Sequence, residues 1–90
     1  MKIEWDTNKN DANMKKHHIS FETAARVFLD EKRLDYYDIV HSINEDRYIT
    51  IGLVEEVLVV VYTLRKTRIR MISARLATRK ERKLYYEENY

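Results

Sequence analysis

Cysteine and proline are absent from this 90-residue chain, and Gly52 is its only glycine. Without cysteine there is neither a disulfide framework nor a thiolate metal site, so a reducing compartment is expected and an apolar core must hold the fold. One glycine cannot build a phosphate-cradling loop, which excludes that route to nucleotide binding. No apolar run approaches the ~18 residues of a membrane span. The opening Met1-Lys2-Ile3-Glu4-Trp5-Asp6 carries charge where a signal peptide needs an apolar stretch. A cytoplasmic protein with no membrane partner is expected. Imidazoles are also few: His17, His18 and His41. The first two point about 100° apart on a helix, and no carboxylate stands at a spacing that completes a ligand set, so neither metal nor cofactor is expected.

Charge is present in quantity and unevenly placed. Residues 1–60 hold 8 Lys+Arg against 12 Asp+Glu, whereas residues 61–90 hold 9 against 3. A basic C-terminal third on a chain of net charge +2 points to a polyanion partner, and the run taken alone equally fits a solvated basic face. Ninety residues fit one domain, residues 1–90. A chain this small buries only about 60–65% of its unfolded surface, so a large enclosed cavity is not expected.

Apolar spacing predicts the elements in order. Ile3 and Trp5 share one side of a short strand, after which Asp6 or Thr7 caps a very polar helix reaching Lys16, held mainly by Ala12 and Met14. Ser20 caps a second helix in which Phe21, Ala24, Ala25 and Phe28 recur at helical spacing, with Val27 and Leu29 widening the stripe. Residues 34–40 suit an edge strand and 41–46 a loop. Residues 47–53 and 57–63 are strands, the second apolar on both faces and therefore central. After the connection Leu64-Arg65-Lys66, residues 67–75 form a further antiparallel strand. Thr78-Arg79-Lys80-Glu81 fits a capping box opening a C-terminal helix that runs toward Tyr90. The expected class is α+β: a small antiparallel sheet with N-terminal helices and a C-terminal helix.

RNA carries its own nucleophile, the 2′-hydroxyl, so its cleavage needs only proton transfer and neutralisation of charge developing at phosphorus. Lys, Arg, His and a helix N-terminus suffice, and the chain holds them in Lys16, His17, Arg68, Arg70, Arg75 and Arg79. Thr78 and Lys80 stand at the start of the last helix, whose amides can receive an anion. Strand parity places Arg68 and Arg70 on one face and Arg75 on the other unless a bulge intervenes. Arg75 can equally be an ion-pair partner of Glu81, and Arg68 can simply keep a face soluble. A catalytically silent nucleic-acid-binding module and a plain interaction protein use the same residues, and Trp5, Tyr36, Tyr37, Tyr62, Tyr85 and Tyr86 could stack bases or fill the core.

Read together, Ile3-Glu4-Trp5-Asp6, Asn8-Lys9, Asn13, Lys16-His17, Ile19-Ser20-Phe21-Glu22 and Ala24-Ala25 resemble the N-terminal pattern of the BrnT toxin family. His41-Ser42, Glu45, Arg47, Ile49 and Ile51-Gly52 match its middle motif, Val59 to Thr63 its central strand, and Arg68 to Arg82 its closing strand and helix start. The resemblance covers essentially residues 2–89. It implies a RelE-like fold, a metal-independent endoribonuclease that inhibits translation, and a BrnA-type antitoxin. Such an antitoxin dimerises through a DNA-binding ribbon–helix–helix domain, so operator DNA is bound only through the toxin–antitoxin complex. Trp5, Lys16, His17, Arg68, Arg75 and Arg79 fall on the family pattern. The site expectation is Arg75, Arg79, Lys16 and His17 for catalysis, and Trp5, Arg68, Arg70, Thr78 and Lys80 for RNA binding. One departure stands out, because the family usually has glycine where this chain has His18. A non-glycine residue in the positive-φ turn expected there costs on the order of 1 kcal/mol.

Overall fold

In the computed structural model, which describes residues 2–89, β1 (Lys2–Glu4) leads into α1 (Thr7–His17) and α2 (Phe21–Ala24), and α2 continues as a 3-10 helix over Ala25–Leu29. The strands β2 (Leu34–Tyr37), β3 (Tyr48–Val54), β4 (Glu56–Arg65) and β5 (Arg68–Leu76) follow, and α3 (Arg79–Glu88) closes the chain. The α+β class is as the sequence reads. Tyr90, toward which the last helix was expected to run, lies outside the described residues.

The sheet has the order β1-β5-β4-β3-β2. Strands β2 to β5 form the antiparallel meander, with β4 at the centre as its two apolar faces demand. The expectation of a wholly antiparallel sheet needs correction, because β1 pairs parallel to β5, with Ile3 beside Ile69 and Glu4 beside Arg70. The intervening chain returns to that edge, and a parallel neighbour needs such a crossover.

Each sheet face has its own apolar cluster. Phe21, Ala24 and Val27 from α2 and the 3-10 helix pack on Leu58, Val60, Tyr62, Ile69, Met71 and Ala74. Their spacing of three is that of a 3-10 helix, which also explains why Leu29 is turned to solvent at 80% exposure instead of widening the stripe. On the other face, Tyr85 of α3 and Ala77 pack on Ile51, Val57 and Val59. The carboxylate of Asp30 ties that helix down, accepting from the Tyr85 hydroxyl at 2.5 Å and from the Leu53 amide at 2.8 Å. Predicted strand 34–40 stops at Tyr37 because Asp38 turns the chain: its carboxylate accepts from the His41 amide and takes the His41 ring at 2.9 Å.

Helix α1 is anchored differently from the expectation that Ala12 and Met14 hold it, since both are exposed. Asn13 is the buried residue. Its Oδ1 accepts from the Ala74 amide at 3.1 Å, and its Nδ2 donates to the carbonyls of Ala74 and Ile19, each at 2.9 Å. Beyond the end of β1, this side chain replaces a neighbouring strand along β5. Asn10 Oδ1 accepts from the Phe21 amide, fixing the start of α2 in the same way.

Glycine is used for closeness rather than for conformation. A Cβ on Gly52 would stand 2.3 Å from Val27 Cγ2, whereas the positive-φ positions among the described residues belong to His18, Glu55 and Lys66. His18 ends α1 in the left-handed region and bonds back to the Met14 carbonyl, so the turn survives the missing glycine. Gly52→Ala is expected to cost about 1–3 kcal/mol by overpacking. His18→Gly should add up to ~1 kcal/mol of stability, less the entropy glycine brings to the unfolded chain. Asn13→Ala, which strands a buried amide and carbonyl, should cost roughly 2–4 kcal/mol. Urea unfolding of the three variants checks all three signs.

Candidate RNA-binding face and active site

Strict alternation along β5 would separate Arg68 and Arg70 from Arg75. The strand instead carries a bulge, for the pairing with β4 passes from Val61 opposite Ser73 to Tyr62 opposite Met71, leaving Ile72 without a partner on β4. The extra residue reverses the parity. Arg68, Arg70, Ser73 and Arg75 thus stand opposite Arg65, Thr63, Val61 and Val59 on one side of the sheet, the side on which α3 is packed. Helix α3 covers the Val57–Val59 end and Asp46, in the chain between β2 and β3, lies over the buried Thr63, while Arg68 is exposed and Arg70, Ser73 and Arg75 are half-buried.

Carboxylates set the arginines in place. Glu4, beside Arg70 in the parallel pair, bonds Arg70 at 2.6 Å and Arg68 at 3.1 Å. The Arg70 hydrogen bond is the main influence holding Glu4 below the usual carboxylate range, against a smaller opposing effect of desolvation. Arg75 presents its fork to Glu81, with Nη1 to Oε1 at 2.7 Å and Nη2 to Oε2 at 2.9 Å. Glu81 also accepts from the Thr78 amide while Thr78 Oγ1 accepts from the Glu81 amide, completing the expected capping box. The Arg75 hydrogen bond, more than any other influence, lowers the Glu81 pKa to about 2, burial working against it. A carboxylate that acidic is a poor proton acceptor near neutral pH.

The remaining candidates fall into three places. Lys16 and His17, at the end of α1, line a recess of about 250 Å³ with Lys9, Asn13, Ile72 and Ser73. The bulge therefore brings the α1 pair beside the face that carries the arginines. Arg79 and Lys80 are exposed in the first turn of α3 beside Thr78, and have no hydrogen-bond or ion-pair partner among the described residues. Trp5 stands apart: it packs edge-on against Phe21, 6.2 Å between centroids, in the cluster on the opposite face.

Sequence reasoning gave no role to the loop joining β2 to β3. Its ends are tied by the Asp38 amide to the Arg47 carbonyl at 2.9 Å, and Ser42 Oγ donates to the Asp38 carbonyl at 2.6 Å and accepts from the Arg47 amide at 2.8 Å. The loop encloses a recess of about 450 Å³ lined by His41, Ile43, Asn44, Glu45, Arg47 and Arg65. The Asp38-x-x-His41 spacing was the available signal. Among the described residues no group of three or more His, Cys, Asp or Glu could hold a metal ion, and no helix is long and apolar enough to cross a membrane.

An arginine-lined sheet face flanked by a lysine, a histidine and a helix start gives this small α+β protein a charge pattern of the kind that suits a phosphate polymer. Residues 5–81 match the family described as the ribonuclease toxin BrnT of type II toxin–antitoxin systems. The chain belongs to that family, whose members work against an antitoxin partner. Sequence comparison with curated proteins gives no match. By structure, the chain is similar to the crystal structure of the Brucella abortus ribonuclease toxin BrnT, with a TM-score of 0.68 and 25% identity, covering 88% of this chain and 99% of that one.

The Arg75–Glu81 pair should make stability pH-dependent. A carboxyl whose folded pKa lies below its ordinary 4.5 stabilises the fold above that value, and the contribution is lost as pH falls from about 4.5 toward about 2. With Arg75 41% exposed, solvent screening leaves on the order of 2 kcal/mol. Glu81→Gln should lower the unfolding free energy by that amount near neutral pH, and the gap to the unmodified protein should shrink below about pH 4.5 and close as pH approaches about 2. A gap that stays constant with pH would show that the ion pair is not its source.

Proposed function

We propose that the chain is a metal-independent endoribonuclease toxin whose substrate backbone lies along the arginine-lined sheet face. The carrying observation is the Ile72 bulge, which puts Arg68, Arg70 and Arg75 on one face and sets Lys16 and His17 at its margin. Arg68, Arg70, Lys80 and the Thr78 end of α3 hold phosphates. Lys16, His17, Arg75 and Arg79 serve the chemistry. A base takes the 2′-hydroxyl proton, the 2′-oxygen attacks phosphorus, and the 5′-oxygen leaves with a proton from an acid or water while the cations neutralise the phosphorane. Arg75, already forked onto Glu81, is a fixed charge at the edge of the reaction, whereas Arg79 is free to turn its fork to a phosphate. Trp5 supports this face from behind, through Phe21 and the core.

Cleavage of messenger RNA accounts for inhibited translation. The antitoxin is of the BrnA type, with a ribbon–helix–helix domain through which the complex, and not the free toxin, binds operator DNA. An acidic antitoxin segment laid on the basic face would exclude RNA competitively and in a salt-sensitive manner.

Induced expression of the chain alone should arrest growth, and the purified protein should cleave RNA in excess EDTA. Loss of cleavage restored only by one divalent ion would rule out the metal-independent route. Arg79→Lys should lower the cleavage rate by ~10²-fold with folding intact, and Lys83→Arg, on the same helix, should change it little. If Arg79→Lys protein folds, binds RNA and cleaves at the unmodified rate, Arg79 has no part in the chemistry. Binding without any cleavage by the unmodified protein would favour the catalytically silent module.

A further inference from the structure

The recess under the β2–β3 loop is larger than the one beside Lys16 and His17, and the proposed chemistry leaves it unused. Its construction is specific. Asp38 accepts the His41 backbone amide on one oxygen and meets Nδ1 of the ring at 2.9 Å with the other. A carboxylate oxygen only accepts, so Nδ1 is the donor to Asp38 and Nε2 is the ring atom left for a ligand; toward a phosphate, whose oxygens also only accept, Nε2 donates in the doubly protonated imidazolium form. Asp46 fastens the loop from both sides, its carbonyl accepting from Thr63 Oγ1 at 2.8 Å and its carboxylate from the Tyr37 hydroxyl at 2.9 Å. Arg47 and Arg65 line the same recess. Among the described residues the Arg65 side chain has one charged partner, a loose, exposed contact to Glu45 at 3.6 Å, which a phosphate can displace.

The recess is also continuous with the arginine-lined face. Arg65 stands directly across from Arg68 in the β4–β5 register, so Arg70, Arg68 and Arg65 follow one another on this side of the sheet up to the loop, and Ser73 separates them from Arg75. Tyr36, opposite Ile49, is exposed on this same face beside the loop and offers a flat surface to a base.

We infer that this recess is a second ribonucleotide subsite, in which His41 Nε2, Arg65 and Arg47 take a phosphodiester of the RNA several nucleotides from the scissile bond. The inference rests on the reading that the arginine-lined face binds RNA. Five residues separate Ser73, at the α1 recess, from Arg68, at the mouth of the loop recess, or about 16 Å of extended strand. A dinucleotide cannot span both. A longer single strand can, and a bound chain of that length crosses Arg70 and Arg68 on the way.

The test uses the full-length toxin with two substrates, a dinucleoside monophosphate and a long single-stranded RNA. His41→Gln and Arg65→Gln, both at exposed positions, should each raise KM for the long RNA about tenfold with kcat within about twofold. Neither should change kcat/KM for the dinucleotide. Unchanged KM for the long RNA in both variants overturns the subsite. A fall in kcat at constant KM, on both substrates, also overturns it and places His41 in the chemistry. If the unmodified protein binds RNA but does not cleave, the ribonuclease reading fails alone, and fluorescence polarisation still decides the subsite through a roughly tenfold weaker Kd for the long RNA in the variants.

Discussion

The side-chain amide of Asn13, bonded to both the amide and the carbonyl of Ala74, is the interaction on which the arrangement of this protein depends. An edge strand presents unpaired backbone groups, and β1 pairs with only Arg68 to Arg70 of β5. One asparagine satisfies the edge instead, so α1 lies against β5 and Lys16 and His17 stand beside Ser73. One buried polar group thus ties a helix to the strand edge at the candidate site.

Legibility in the sequence followed how strongly burial constrained each segment. The central strand was readable because Val57 to Thr63 must be covered on both sides, and the last helix because Thr78 and Glu81 form a reciprocal cap that few other structures use. Asn13 was not readable, since an asparagine on a polar helix looks the same whether it faces water or a strand edge. The bulge was hidden for a different reason: Arg68 to Arg75 alternates well enough to pass for an unbroken strand, and only the pairing with β4 reveals the change of parity. Likewise, nothing in the apolar pattern of Ile39 and Val40 announces that Asp38 ends the strand before them. Where local hydrogen bonding by a short polar side chain overrides a hydrophobic pattern, the pattern misleads.

Local backbone cost was legible only in part. The missing glycine at His18 pointed correctly to a left-handed turn, while Glu55 and Lys66 occupy the same region with no warning from their residue type. Tight hairpins on either end of β4 impose it on them. The chain keeps its single glycine for the place where Val27 comes within a methyl group of the β3 backbone, a contact that seats the 3-10 helix on the sheet. Strain in the turns and closeness in the core are therefore separate demands, and the sequence meets only the second with glycine.

The charge split along the chain acquires a different meaning once the carboxylates are placed. Residues 61–90 carry the basic excess, yet Glu4 holds Arg68 and Arg70, Glu81 holds Arg75, and Glu45 lies beside Arg65. Most of the guanidinium charge on the arginine-lined face is locally compensated, so its long-range field is weaker than the count suggests and is screened further at physiological salt. What compensation supplies is orientation. A planar fork held by a carboxylate has already lost its rotational freedom before a phosphate arrives, and a preorganised donor gains more from each contact than a mobile one. Lys16, Arg79 and Lys80, at the margins of the face, and Arg47 beside it have no such carboxylate partner among the described residues, and their charge is the least compensated locally. A face built this way holds its guanidiniums at fixed spacings and orientations, an order that bulk positive charge does not impose.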